Sequence, residues 1–153
     1  MTTTNLKPGS IMQSLPNQRI LASIAKSDEQ MGVRQAAFQK IHSSRLIEDL
    51  ALHSRYEDIR ELALQKVRNP KIIQQAALID VHWKVRRLAV EMIDDQAVLA
   101  EVAIYDVKSD VVELAIQKVS KPELLQSIAD KAKDSSYQQR AQLKLDMLRN
   151  NRV

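Results

Sequence analysis

Residues 70–95, PKIIQQAALIDVHWKVRRLAVEMIDD, are one copy of a unit that fills most of this chain. Displaced by 26 residues in either direction, the stretch meets its own pattern again. Ala77 aligns with Ala25, Ala51, Ala103 and Ala129, and Ala89 with Ala37, Ala63, Ala115 and Ala141. Two rows of five alanines in register identify a five-copy array, with copies at about 17–42, 43–68, 69–94, 95–120 and 121–148. Residues 1–16, punctuated by Pro8-Gly9 and Pro16, fall outside the repeat and are expected to form a loose tail. Residues 149–153 are expected to fray.

Each copy divides into two short helical patterns. The first, helix A, carries apolar residues at offsets 0, 1, 4 and 5, as in Ile72, Ile73, Ala76 and Ala77 or Leu46, Ile47, Leu50 and Ala51. Those offsets draw a single stripe on a helix of 3.6 residues per turn. Asn69-Pro70 supplies an N-cap followed by proline at the first helical position, where its missing N–H costs nothing. Asn17, Ser43 and Asp95 share the cap position, and Pro122 repeats Pro70. After a loop of about five residues comes helix B. Asp58, Asp110 and Ser136, each followed three residues later by Glu61, Glu113 and Gln139, suggest capping boxes at its start. Helix B is expected to bury Val33, Ala36, Ala37 and Ile41 and their copies. Phe38, Leu64, Val90 and Ile116 widen its apolar arc, as suits an inner helix flanked on two sides. In the last copy Asp130, Arg140 and Gln142 occupy positions that are apolar in most other copies, which reads as an end cap.

Composition narrows the function classes. The chain has 153 residues, enough for a sizeable core, and its low content of aromatics and glycine favours helix over sheet. With no cysteine, disulfides, iron–sulfur ligation and thiolate zinc sites are excluded. No segment approaches the roughly 20 apolar residues that span a bilayer, and the first residues lack a secretory pattern, so a cytoplasmic location is the expectation. The net charge of +4 is mild and selects no partner by itself.

The segments AAFQKI, LALQKV and LAVEMI, each following VR or IR closely and preceded by a loop with Asp28, Asp80 or Asp106, resemble HEAT-type repeats. The short period and the Asn-Pro junction of VRNPKIIQQAA look more like the leucine-rich-repeat-variant branch of such arrays. The resemblance covers about residues 17–145. It implies an all-α, right-handed α-α superhelix of five 26-residue, two-helix repeats, used as a binding scaffold, usually for proteins and in some members for nucleic acid.

Several side chains are candidates for binding. Arg34, Arg60 and Arg86 share one repeat position. They either track a phosphate backbone or clamp the stack by pairing with the loop aspartates of their own or the next repeat; Val112 breaks the row. The open face of helix B carries Gln35, Gln39, Glu61, Gln65, Arg87, Glu91, Glu113 and Gln117, a stripe suited to hydrogen-bonding a peptide and not to gripping phosphates. Lys40, Lys66, Lys118 and Lys144 form a basic ridge whose ammonium groups are expected to reach water, the main support for a polyanion partner. Tyr56, His82 and Trp83 gather in the loops between helices A and B, with Tyr105 ending its helix A; they form a binding ridge or cover the helices beneath. His42, His53 and His82 lie at different repeat positions, with no metal-ligand spacing and no catalytic constellation, so neither an enzyme nor a cofactor is expected. The expected partner is a protein or peptide, with nucleic acid or another polyanion as the alternative.

Overall fold

The structure, a computed structural model, describes residues 17–151. Those residues form ten α-helices and no strand. They are α1 (Gln18–Ser27), α2 (Met31–Gln39), α3 (Ser44–His53), α4 (Glu57–Lys66), α5 (Pro70–Ile79), α6 (Trp83–Met92), α7 (Gln96–Tyr105), α8 (Ser109–Lys118), α9 (Pro122–Lys131) and α10 (Ser135–Asn150). Consecutive helices pack as five A–B pairs, one per repeat. The chain gathers into two compact units divided between Val67 and Arg68. In the first, α1 packs on α3 and α2 on α4; in the second, the A helices α5, α7 and α9 follow one another, as do the B helices α6, α8 and α10. Each unit is thus a two-layer stack of helix pairs, the arrangement of a helical-repeat solenoid. The tail expected at residues 1–16 lies outside the described residues, as do residues 152–153.

Burial follows the alanine rows. Ala25, Ala51, Ala77 and Ala103 are at most 1% exposed, and Ala63, Ala89, Ala115 and Ala141 are fully buried. Around them pack Leu50, Ile59 and Leu64 in the first unit, and Leu99, Val85, Val111 and Leu125 in the second. Helix A starts are capped as the sequence suggests at three sites: Asn17 Oδ1 accepts from Arg19 N–H, Asn69 from Lys71, and Asp95 from Ala97 and Val98. Ser43 holds the cap position without a side-chain bond.

Five expectations need correction. The A–B loops are three residues long, for example 80–82, so helix B begins earlier than the capping boxes require. Asp58, Asp110 and Ser136 therefore lie inside the first turn, not at the cap. Asp58 instead accepts from Arg34 Nε at 2.9 Å and from Gln35 Nε2 at 2.9 Å, so its carboxylate ties two repeats together through an ion pair. Val33 and Ala36 are exposed in the first copy, although the Val33 counterparts Ile59 and Val85 are buried and the Ala36 counterparts Leu62 and Leu88 are half-buried. The first apolar position of helix A sits at the stripe's edge: Ile20 is exposed and Leu46, Ile72, Val98 and Leu124 are half-buried. Of the residues expected to fray, Arg149 and Asn150 are still helical, because α10 runs sixteen residues to Asn150.

The fifth correction concerns the lysine row. Lys118 Nζ donates to the carbonyls of Val90 and Glu91 at 3.0 and 2.7 Å, and Lys144 Nζ to those of Ile116 and Gln117. Each lysine thus caps the C-terminus of the preceding repeat's helix B, where orphan carbonyls and the helix dipole both favour a cation. Burial lowers the Lys144 pKa below its ordinary value. Lys66 lies over the Phe38 ring at 4.8 Å, leaving only its exposed end and Lys40 as parts of the ridge.

Overpacking at an alanine crossing is the direct test of this fold. Ala103→Leu is expected to lower the free energy of urea unfolding by about 1–3 kcal/mol. Ala97→Leu, on the exposed side of the same helix, should change it by less than about 0.5 kcal/mol.

Candidate functional site: an open seam between repeats three and four

The arginine row is a clamp built on helix B. Each guanidinium reaches back to the A–B loop that precedes its helix: Arg34 Nη1 donates to the Glu29 carbonyl at 3.0 Å, Arg60 Nη1 to Ser54 at 2.9 Å, and Arg86 Nη1 to Asp80 at 2.9 Å. Gln138, at the same position of the last repeat, donates to Ala132 at 2.8 Å and does the same work without charge. Arg86 extends further, holding Asp106 of the next loop through Nε at 2.6 Å and Nη2 at 3.0 Å. The next residues of both rows change together: Val112 replaces the arginine, and Ala132 replaces the aspartate it would have met. In the second loop Ser54 stands at the aspartate position, and Arg34 turns to Asp58 instead. Arg34 and Arg60 are buried, and the Arg86 side chain is 13% exposed.

Asp106 shows the electrostatics of this clamp. Burial acts to raise its pKa, but the Arg86 hydrogen bond, the Lys108 and Val107 backbone N–H groups and the Arg86 charge together outweigh burial and hold it below the ordinary carboxylate value. The same bond, opposed by burial and helped by the charges of Asp106 and Asp80, raises Arg86.

The other sequence candidates are dispersed. Gln39, Gln65, Glu91, Glu113 and Gln117 are exposed on helix B and Glu61 is half-buried. Arg87 and Glu91 close on each other at 2.6 Å, and Glu113 meets Arg140 at 3.4 Å. Tyr56 is stacked under Arg34, 4.0 Å from its ring centre. His82 and Trp83 stack on each other, with Lys108 4.9 Å over the indole. These aromatics are half-buried, and Tyr56 and Trp83 each lie under a cation of a neighbouring repeat. No group of three metal-ligating side chains occurs among the described residues.

What the second unit does present is a cavity of about 430 Å3 between α5 and α7. Leu78 and Ile79 from the end of α5, Glu101 and Tyr105 from α7, and Val107 from the following loop surround it, with Asp80, Arg86 and Asp106 also lining it. Its apolar side chains are unusually exposed: Ile79 66%, Tyr105 62%, Val107 80%, with Val81 beside them at 89%. An apolar cluster of this kind marks a contact surface more often than an isolated exposed leucine does. None of Leu78, Ile79, Val81 and Val107 was singled out from the sequence. Aligned repeats do contain the signal: Ile79 and Tyr105 replace Ser27, His53 and Lys131, and Val81 and Val107 replace Glu29, Arg55 and Lys133.

The equivalent seam in the first unit is shut. There Arg55 N–H donates to the Lys26 carbonyl at 3.0 Å, the Ser54 hydroxyl to the same oxygen at 3.3 Å, and Lys26 Nζ pairs with Asp49 at 3.0 Å. Leu78 and Glu101 are the counterparts of Lys26 and Asp49. With leucine in place of lysine the bridge is impossible, and Glu101 has no salt-bridge partner among the described residues.

Because the Asp106 carboxyl is held below its unfolded value, its contribution to stability is present above about pH 4 and is lost as pH falls through the depressed native pKa. Asp106→Asn is expected to cost roughly 2–3 kcal/mol at pH 6, from loss of a buried charge-assisted pair. Between pH 6 and pH 3 the variant should lose less stability than the parent, as read by urea unfolding at both values. In comparisons with known proteins, no family model, no curated sequence and no solved structure matches this chain.

Proposed function

We propose that this chain is a non-catalytic, HEAT-like interaction module that binds a protein or peptide, and that the seam between α5 and α7 is its contact surface. The observation that carries this is the cluster of exposed apolar residues around a cavity whose equivalent is closed in the first unit. Cavities of a few hundred Å3 with apolar walls and few polar groups are common binding sites. The surrounding helices hold the rim on a packed scaffold, which lowers the ordering cost of binding.

Binding to a polyanion finds less support. Arg34 and Arg86 donate to carboxylates and loop carbonyls, Arg60 donates to loop carbonyls, and Lys118 caps a helix end. A phosphate backbone would have to displace those internal partners, whereas groove-lining cations in nucleic-acid proteins stand free. No helix among the described residues is long and apolar enough to cross a membrane.

Panning of a random dodecapeptide phage library tests this role. A related set of sequences should enrich on the parent chain, and binding of the resulting synthetic peptides should fall at least tenfold in the double variant Ile79→Ser, Val107→Ser. Altering Gln65, Glu91 and Gln117 on the helix B face should leave it within about twofold. A fluorescent DNA duplex should show no steeply salt-dependent affinity. If no sequences enrich and the duplex binds with a steep salt slope, the module is a polyanion binder.

A further inference from the structure

From the contrast between the two seams, we infer that the α5–α7 cavity takes a lysine or arginine side chain of a partner polypeptide, flanked by apolar residues. The inference rests on the protein-binding role proposed above and names the partner chemistry of that site.

In the first unit the place beside helix A of the second repeat is filled by the Lys26 ammonium, 3.0 Å from Asp49. In the second unit the acidic half of this arrangement is kept, as Glu101, while the cationic half is replaced by Leu78. Of the carboxylates lining the cavity, Asp106 is paired with Arg86 and Asp80 accepts from the His82 N–H, whereas the exposed Glu101 has no salt-bridge partner among the described residues. Helices α5 and α7 both end here, at Ile79 and Tyr105, so two negative dipole ends lie beside the same opening. A cation is therefore favoured on two counts, Glu101 and the helix ends, although the chain as a whole carries a charge of +4. The rim of Ile79, Tyr105 and Val107 then covers the apolar residues on either side of the incoming cation, and the tyrosine ring offers it a face. An acidic or phosphorylated segment would meet Glu101 and the helix ends with like charge, and a purely apolar one would leave Glu101 facing its hydrocarbon.

The probe is an array of N-acetylated pentapeptide amides, Leu-Val-X-Leu-Tyr, in which X is each of the twenty amino acids, read by fluorescence polarisation for the strongest members. Binding should concentrate at X = Lys and Arg. Nε-acetylation of the lysine, or Glu101→Gln in the protein, should weaken it about three- to fivefold, the range for a solvent-exposed ion pair, with the difference shrinking at high salt. Leu78→Lys supplies the missing cation from within the chain. It should abolish peptide binding while the melting temperature stays level or rises, which separates a filled site from a misfolded one. Binding that ignores X and Glu101 yet is lost in Ile79→Ser, Val107→Ser would overturn the cationic inference and leave the protein-binding role standing. Loss of neither sinks both. Self-association of the parent that disappears in the same double variant, with no peptide bound, would replace the proposed partner by a second copy of this chain.

Discussion

A helix of ten residues makes fewer than three turns, and on its own in water such a helix is marginal. Nine of the ten described helices are of nine or ten residues, so none can rely on its own backbone bonds. Each must lean on a neighbour, and that requirement sets the rest of the structure. Close approach within a pair needs a small residue at the crossing, which is why two alanine rows survive where leucine would give more apolar area. Stacking between pairs then needs its own fastenings. The structure supplies them as recurring side-chain devices: an arginine or glutamine on the preceding loop, a lysine on a helix end, and a glutamine at the start of helix A. Gln18 bonds the Lys40 carbonyl and the His42 N–H, and Gln96, at the same position three repeats later, does the same to the Lys118 carbonyl and the Ser120 N–H.

These fastenings explain how repetition and individuality coexist. A position in the repeat has a fixed job only where its neighbour in the next copy still requires it. Arg86 has Asp106 to hold, whereas Val112 would have met Ala132, and so needs no charge. Where a fastening is dropped from both sides and apolar residues take its place, no charge is left buried without its partner, and the change is often close to neutral. Where it is dropped from one side, a group is left over. Glu101 beside Leu78 is such a remainder, and it lies where helix ends and exposed apolar side chains coincide.

The architecture was legible because it is written in period and burial, and both are local properties of sequence. Alanines spaced 26 residues apart, helix A stripes and the caps at Asn17, Asn69 and Asp95 needed no knowledge of partners across the stack. Capping boxes failed for a related reason. The spacing of Asp58 and Glu61 is right for a cap, but a loop of three residues moves Asp58 inward, and Arg34 from the previous repeat competes for it. The lysine row was misjudged because Lys118 and Lys144 stand at the edge of an apolar arc, where water and a neighbouring helix end are equally near in sequence terms. Only coordinates place the Val90 carbonyl within 3.0 Å of Lys118 Nζ. The seam was visible in principle, as a change from charge to valine at one loop position. Attention to what recurs hides what departs.

The opening between α5 and α7 also lies beside the strongest fastening in the second unit. Asp106, with its side chain 5% exposed, takes two bonds from Arg86, while its own Oδ1 accepts from Lys108 N–H at 2.8 Å. Backbone and side-chain bonds that close the first seam, from Arg55 and Ser54 to Lys26, have no counterpart between Val107 or Asp106 and Leu78. Repeats three and four are thus joined by the Arg86–Asp106 pair, by Lys118 on the end of α6 and by Gln74 on Asp95, all set away from the rim. That arrangement fixes the spacing of the two helix ends while leaving the gap between them unfilled. An entering side chain need not pry the repeats apart, because the Arg86–Asp106 bond, like Arg34–Asp58 in the first unit, joins the repeats behind the rim. The first seam has a set-back pair of its own, Arg34–Asp58, and adds the Lys26–Asp49 bridge at the rim; the seam between α5 and α7 keeps the set-back pair and lacks the bridge, and so its rim stays open.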